Sequence, residues 1–261
     1  MILKIKVKQL LETIVFFNEF SDELSISIDK LNLNKLFIFT HLDNIYVWNI
    51  LEISNKVNID DSECDFNFII PITKLKPCLS SFFLDSVITL KYVDSTITIS
   101  DTYKTMVSTN SGDPIHHETN TEISFVVDKS KNYIFNFLDF NNIFGYTIIT
   151  LDLLIGFIKS IKSVKKIDVN FKNGFIYFES TNILNKESHV HKVKLIKYSV
   201  GLEEYSFKIN TTSISKLKGF KKKSSIFNIE IILTKSYQGI LFKPIINSCC
   251  ISDVNIFIPF S

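Results

Sequence analysis

The chain has 261 residues and a net charge of +2, with 46% hydrophobic and 21% charged residues. That length allows one large domain or two of ordinary size. The composition excludes a disordered chain, and the charge balance excludes a uniformly basic nucleic-acid coat. No apolar run reaches the ~18 residues of a membrane helix. Ala and Arg are absent and Ile, Lys, Asn and Phe replace them. An AT-rich genome produces this skew, so a Lys here can stand where a relative carries Arg. The four cysteines, Cys64, Cys78, Cys249 and Cys250, include no C-x-x-C pair. They read as a reducing compartment without a disulfide framework.

Ile2–Val7 alternates charged and apolar residues, which predicts a strand and not a signal peptide. It runs into Lys8–Phe20, where Leu10, Leu11, Ile14, Val15 and Phe17 form one helical stripe. Strands are expected at Leu24–Asp29 and over Ile45–Ile53, the latter with the single Trp, Trp48, half-buried. Asp60, Asp61 and Glu63 read as a solvated loop. Phe66–Ile70 leads to a shorter helix within Thr73–Phe83, with Cys78 in the core beside Leu75, Leu79 and Phe82. Pro77 permits that helix only if it begins close by. Strands follow at Val87–Tyr92, Thr96–Ser100 and Ile123–Val127, with Ser108–Asn120, including His116 and His117, as a polar surface loop.

An aromatic segment comes next, with Tyr133, Phe135, Phe137 and Phe140. It is too aromatic for a loose tether and reads either as packed on a sheet edge or as part of a partner-binding groove. Thr147–Leu151 then enters a helix over Asp152–Ser163, with Leu153, Leu154, Phe157, Ile158 and Ile161 on its stripe. Strands are expected at Ile167–Phe171, Phe175–Phe178 and Tyr205–Ile209, a helix over Thr212–Phe220, and strands at Phe227–Ile232 and Val254–Ile258.

Four times a strand runs straight into a helix and further strands follow, starting near Ile2, Phe66, Tyr146 and Tyr205. The first unit parallels the third and the second parallels the fourth, which is an internal repeat. Pairs of repeats predict two similar domains, 1–128 and 145–261, joined by a connector at 129–144.

Residues 1–128 hold 10 Lys against 18 Asp and Glu, a balance of −8. Residues 129–261 hold 19 against 9, a balance of +10. In the second half the excess lies on helical patterns. Lys159, Lys162 and Lys166 follow i, i+3, i+7, and Lys216 and Lys218 lead into Lys221, Lys222 and Lys223. Such a face can track phosphates without reading bases, since an ammonium has no planar fork. The first helix instead places Glu12 and Glu19 on its polar side.

No GxGxxG, P-loop, GxSxG or HExxH is present. His189 and His191 would point to the same side of a strand, yet no third metal ligand is near in sequence. No nucleophile–base–acid set can be assembled, so no catalytic residue and no cofactor is expected.

The repeat resembles a DNA sliding clamp of the PCNA type, and the chain is similar to the poxvirus late gene transcription factors that share this architecture. The residues that carry the likeness run the whole length: Ile5–Leu10, Phe16–Ser21, Tyr133–Phe137, Leu153–Lys159, Ser206–Ile209, Lys216–Lys223 and Asn255–Phe257. The missing Arg and Ala suit an AT-rich member such as an insect poxvirus. The resemblance implies an α+β, PCNA-like fold of two similar domains, each with two strand–helix–strands repeats and mostly antiparallel sheet. It implies a non-enzymatic platform in the host cytoplasm that switches on late viral genes, while the Lys-only chemistry predicts DNA contact that is weak and without sequence preference. It further implies the viral RNA polymerase and other late factors as partners, and allows a homo-oligomer. The charge split puts domain 2 toward DNA and domain 1 toward protein, in an open or lower-order assembly. A processivity clamp that closes a ring and a protein-only adaptor are the competing readings.

Overall fold

Each helix in the computed structural model starts on the residue after a strand ends, and none of the four has a side-chain cap. The residues before them, Lys6, Pro71, Thr150 and Asn210, are all extended, with ψ near 130° (129–131°). The open N–H groups of a first helical turn need other acceptors, and for three of the helices backbone carbonyls supply them. Val7 and Lys8 donate to Ser86 O and Leu84 O, both at 3.0 Å, Ile72 donates to Asp22 O at 2.8 Å, and Thr211 donates to Lys165 O at 3.0 Å. In the first two cases each helix is capped by the segment that follows its neighbouring helix.

The structure describes residues 2–18, 20–28, 35–42, 45–53, 67–108, 114–129, 143–161, 164–182, 187–198, 205–222, 224, 226–233, 238–245 and 254–261. Of these, residues 42, 102–108, 114–119, 129, 181–182, 187, 220–222 and 233 are described in backbone only. The elements run β1 (Ile2–Lys6), α1 (Val7–Phe17), β2 (Glu23–Ile28), β3 (Lys35–Leu42), β4 (Ile45–Glu52), β5 (Asn67–Pro71), α2 (Ile72–Ser80), β6 (Val87–Val93), β7 (Thr96–Ser108), β8 (Pro114–Val126) and β9 (Asp128–Lys129). They continue with β10 (Ile143–Thr150), α3 (Leu151–Ser160), β11 (Lys166–Lys172), β12 (Phe175–Asn182), β13 (Glu187–Lys194), β14 (Lys197–Tyr198), β15 (Tyr205–Asn210), α4 (Thr211–Lys216), β16 (Ile226–Leu233), β17 (Gln238–Pro244) and β18 (Asn255–Pro259). A strand, a helix and three strands thus occur four times. This is the α+β repeat expected of a sliding-clamp-like chain.

Two compact units divide the chain: residues 1–40 with 49–133, and residues 41–48 with 134–261. In unit 1, β1, β6, β7 and β8 form one four-stranded sheet, while β2 pairs with β3 and β5, and β5 with β9. Helices α1 and α2 pack on each other. Thr13, fully buried on α1, donates to Gln9 O and accepts from Asn49 Nδ2 at 3.1 Å, tying the helix to β4.

Unit 2 repeats the plan. Strands β13, β12, β11 and β15 form a sheet in that order, and β14, β10, β16, β17 and β18 form another. Residues 46–48 of β4 pair with 255–257 of β18. Thr211 Oγ1 reaches Val164 O at 2.7 Å, fixing the start of α4 to the segment after α3. All described pairings are antiparallel. Among the described residues no helix is long and apolar enough to cross a membrane.

Several expectations are corrected. Most of Ser108–Asn120 is not a loop: β7 and β8 stay in register out to Ser108 opposite Pro114, so His116 and His117 lie on β8. Backbone pairing carries a polar sequence there. Trp48 is buried, 3% exposed, on β4 and not half-buried. The Asp152 helix ends at Ser160, three residues early, and the last helix is six α-residues followed by a 3-10 turn over Leu217–Lys222. Strands β3 and β17 escaped the period-2 reading, since both carry near-continuous apolar residues (Leu36 to Phe39, Ile240 to Phe242). Pro77 falls in the second turn of α2, so Thr73 O has no helical donor and the helix ends at Ser80.

Candidate nucleic-acid interface

The helices carry the basic side chains that the buried stripes leave outside. On α3, Leu151, Leu154, Ile155 and Phe157 are buried, and Lys159 is exposed in the last turn. A cation there also meets the negative end of the helix dipole. On α4, Thr211, Ser213 and Ile214 are buried and Lys216, at its last position, is half-buried. Lys218 is exposed on the 3-10 turn that follows, because Leu217, fully buried, rotates its neighbour outward. The backbone of Lys221 and Lys222 continues that turn.

Lys166 is corrected: it opens β11 and is exposed on a sheet, so the i, i+3, i+7 face stops with the helix at Ser160. Lys162 and Lys223 lie outside the described residues, as do the side chains of Lys221 and Lys222. Tyr133, Phe135, Phe137 and Phe140 also lie outside the described residues.

Two residues that the domain charge balance concealed are Lys74 and Lys76 on α2. Ile72, Leu75, Cys78 and Leu79 are buried, and the exposed positions are Thr73, Lys74, Lys76, Pro77 and Ser80, with no acid among them. On α1, Lys8 is exposed and Glu12, one turn on, is half-buried. The acidic excess of residues 1–128 therefore does not lie on the described helix faces of unit 1. Among the described residues, Asp22, Glu23, Asp85 and Asp94 lie in turns or at a strand start, and Asp101 and Glu122 lie within β7 and β8. The available signal was the pair of lysines on either side of apolar Leu75 in Thr73-Lys-Leu-Lys-Pro77, masked by summing charge over a whole domain.

Of the remaining reactive groups, Cys78 is core and His189 and His191 are half-buried on β13. Cys78 is 7% exposed, and burial pushes its thiol up to about 11, so it stays protonated and inert. His189 and His191 do share a face of β13, but His191 lies under α3. Its ring stacks with Phe157 at 5.9 Å and sits 6.2 Å from Phe178. Its Nε2 is buried without a hydrogen-bond partner, and burial lowers its pKa from the ordinary 6.5. Among the described residues no group of three or more His, Cys, Asp and Glu could hold a metal ion.

Comparison with known proteins agrees with this architecture. A family model described as Viral Trans-Activator Protein matches residues 1–261. Late transcription factor 1 of fowlpox virus is 34% identical over 100% of this chain and 99% of its own length. Proteins of the same name from variola virus and vaccinia virus (strain Copenhagen) are 30% identical with the same coverage. Among solved structures, the PCNA2–PCNA3 complex from Sulfolobus tokodaii aligns over 100% of this chain and 99% of the matched chain, with TM-score 0.54 and 11% identity. At that identity the likeness shows the fold alone. From end to end, then, the chain belongs to the viral trans-activator protein family, folded as a sliding-clamp-like α+β protein.

Proposed function

We propose that this protein is a poxvirus late transcription factor: a non-enzymatic, clamp-like platform that contacts DNA through helix lysines and recruits the viral RNA polymerase and other late factors in the host cytoplasm. The carrying observation is full-length similarity to Late transcription factor 1 of several poxviruses on a sliding-clamp-like fold. The DNA contact is assigned to the lysines of unit 2. Lys159 and Lys218 are exposed on α3 and after α4, and Lys216, Lys221, Lys222, Lys223 and Lys162 adjoin them in sequence. Lys74 and Lys76 extend the same chemistry to unit 1. The aromatic segment 133–140, in the connector 129–144, is the candidate for partner binding, and self-association is compatible with the clamp-like fold.

Contacts of this kind favour DNA without selecting it. The chain has no Arg, so bidentate Arg–guanine pairing cannot occur and promoter choice falls to partners. The test is affinity for late-promoter and random duplexes of equal length across a salt series, for wild type and for Lys221, Lys222 and Lys223 changed together to Gln. Equal affinity for the two duplexes is expected, with a steep salt slope that flattens by roughly one unit per lost phosphate contact. A promoter preference above about tenfold, or ~1.4 kcal/mol, contradicts the reading. So does an absence of duplex binding at low salt, which transfers the lysines to a protein interface.

A further inference from the structure

We propose that the solvent face of the β13–β12–β11–β15 sheet is a second nucleic-acid site, one that binds a single strand. It stands independently of the helix lysines. Along β12, Ile176, Phe178 and Ser180 are buried while Phe175, Tyr177 and Glu179 face outward, half-exposed. A merely solvated face would carry polar residues at the first two positions. Here two aromatic rings stand side by side, with centroids 6.2 Å apart.

The pairing register shows what surrounds them. Phe175 lies between Lys172 on β11 and Lys194 on β13, and Tyr177 lies between Asn170 and Lys192. Lys192 Nζ is 3.9 Å from the Phe175 centroid and 5.4 Å from that of Tyr177. Among the described residues, the two acids of this face come one step further along. Asp168 is near Lys208 Nζ at 3.8 Å, and Glu179 accepts from Asn170 Nδ2 at 2.6 Å. The Phe175 end is therefore both aromatic and basic, with no acid at the neighbouring register positions.

That end is also held rigid. Asn173 and Gly174, with φ of 52° and 74°, make the tight turn into β12. The Tyr198 ring lies against Gly174, where a Cβ would meet its Cε1 at 2.8 Å, and Leu195 N donates to Gly174 O. Paired aromatics on an antiparallel sheet, flanked by cations and backed by helices, form a platform on which unstacked bases lie while the phosphates run past the ammonium groups. A duplex keeps its base faces covered and cannot use the rings. An acidic protein would use the lysines and not need the rings.

The test is fluorescence anisotropy of the full chain with oligo(dT) and oligo(U) of about 20 nucleotides, against a duplex of equal length. Phe175→Ser with Tyr177→Ser should weaken single-strand binding by roughly tenfold or more. Lys192→Gln with Lys194→Gln should flatten the single-strand salt slope by about 1.4. Lys159→Gln with Lys218→Gln should leave oligonucleotide binding unchanged and reduce only duplex binding. A preference for oligo(U) identifies a transcript as ligand. Equal binding, or preference for oligo(dT), identifies unpaired DNA. The proposal is overturned if the aromatic pair can be removed without loss, if Lys159 and Lys218 account for single-strand binding, or if neither oligonucleotide binds at low salt. Far-UV circular dichroism and melting verify that the variants fold. The lysine pair, exposed on the surface, is an independent test should the aromatic pair disturb the sheet.

Discussion

Changing Lys74 and Lys76 together to Gln decides whether unit 1 meets DNA. Both side chains are exposed on α2, at the two edges of its buried stripe, the exposed positions of α2 include no acidic residue, and Leu75 between them is buried. Each phosphate neutralised by a Lys releases counterions and steepens log K against log salt by ~0.9, so losing two contacts flattens the slope by ~1.8. Between about 50 and 200 mM salt the variant should lose ~12-fold less affinity than wild type. Substitutions at exposed positions of this kind shift stability by no more than about 0.5 kcal/mol, so folding does not confound the result. The assay is anisotropy on a short duplex over a salt series, with Lys159→Gln and Lys218→Gln as the matching pair in unit 2. If the α2 pair leaves the slope unchanged while the unit 2 pair flattens it, the helix face of unit 1 does not meet phosphate. The division of labour drawn from domain charge, −8 against +10, would then be the better guide.

Three predictions concern stability. His191 is half-buried under α3, with its Nε2 buried, and its pKa is lowered, so the unfolded chain takes up a proton there more readily than the folded one. Stability from this site is complete above the ordinary value of 6.5 and falls as pH drops from there toward the lower folded value, and His191→Phe should reduce the slope of melting temperature against pH in that window. An unchanged slope would show that the imidazole is already solvated. Glu230 is buried, 8% exposed, and both its carboxylate oxygens meet Lys243 Nζ, at 2.8 and 2.7 Å. Lys243→Met leaves that charge unpaired and should cost about 3 kcal/mol in urea denaturation, while adding Glu230→Leu should recover most of it; strict additivity of the two would refute the coupling. Gly239→Ala should lower stability by about 1–3 kcal/mol through overpacking, since a Cβ there would come 2.5 Å from Ile258 O and 2.6 Å from Phe257 Cζ. A variant that melts with wild type would show that β18 can shift to make room.

The repeated strand–helix–strands order was legible because each helix has a narrow apolar stripe and its neighbours alternate with period 2. Leu10, Ile14 and Phe17, or Leu154 and Phe157, announce a helix in any context, and all are buried. The family was legible for the same reason, since its blocks run in order along the full chain. By itself the sequence determined the fold class, the four repeats, the core position of Cys78 and the absence of any Arg beside its 29 lysines.

Only the tertiary structure decided how the ends and faces are used. Helix limits depended on acceptors from distant segments, Asp22 O for Ile72 and Lys165 O for Thr211, which no local cap signals. Lys166 left the helix face for a strand because α3 stops at Ser160. Lys74 and Lys76 emerged as candidates because the exposed positions of α2 carry no acid, whatever the charge of residues 1–128 as a whole. Cross-strand register placed Phe175 and Tyr177 between Lys172, Lys192 and Lys194, residues up to 22 positions apart in sequence. The reason is general to sheets. Which face a strand residue takes is set locally by alternation, but what it meets there is set by pairing with strands that composition and spacing do not specify.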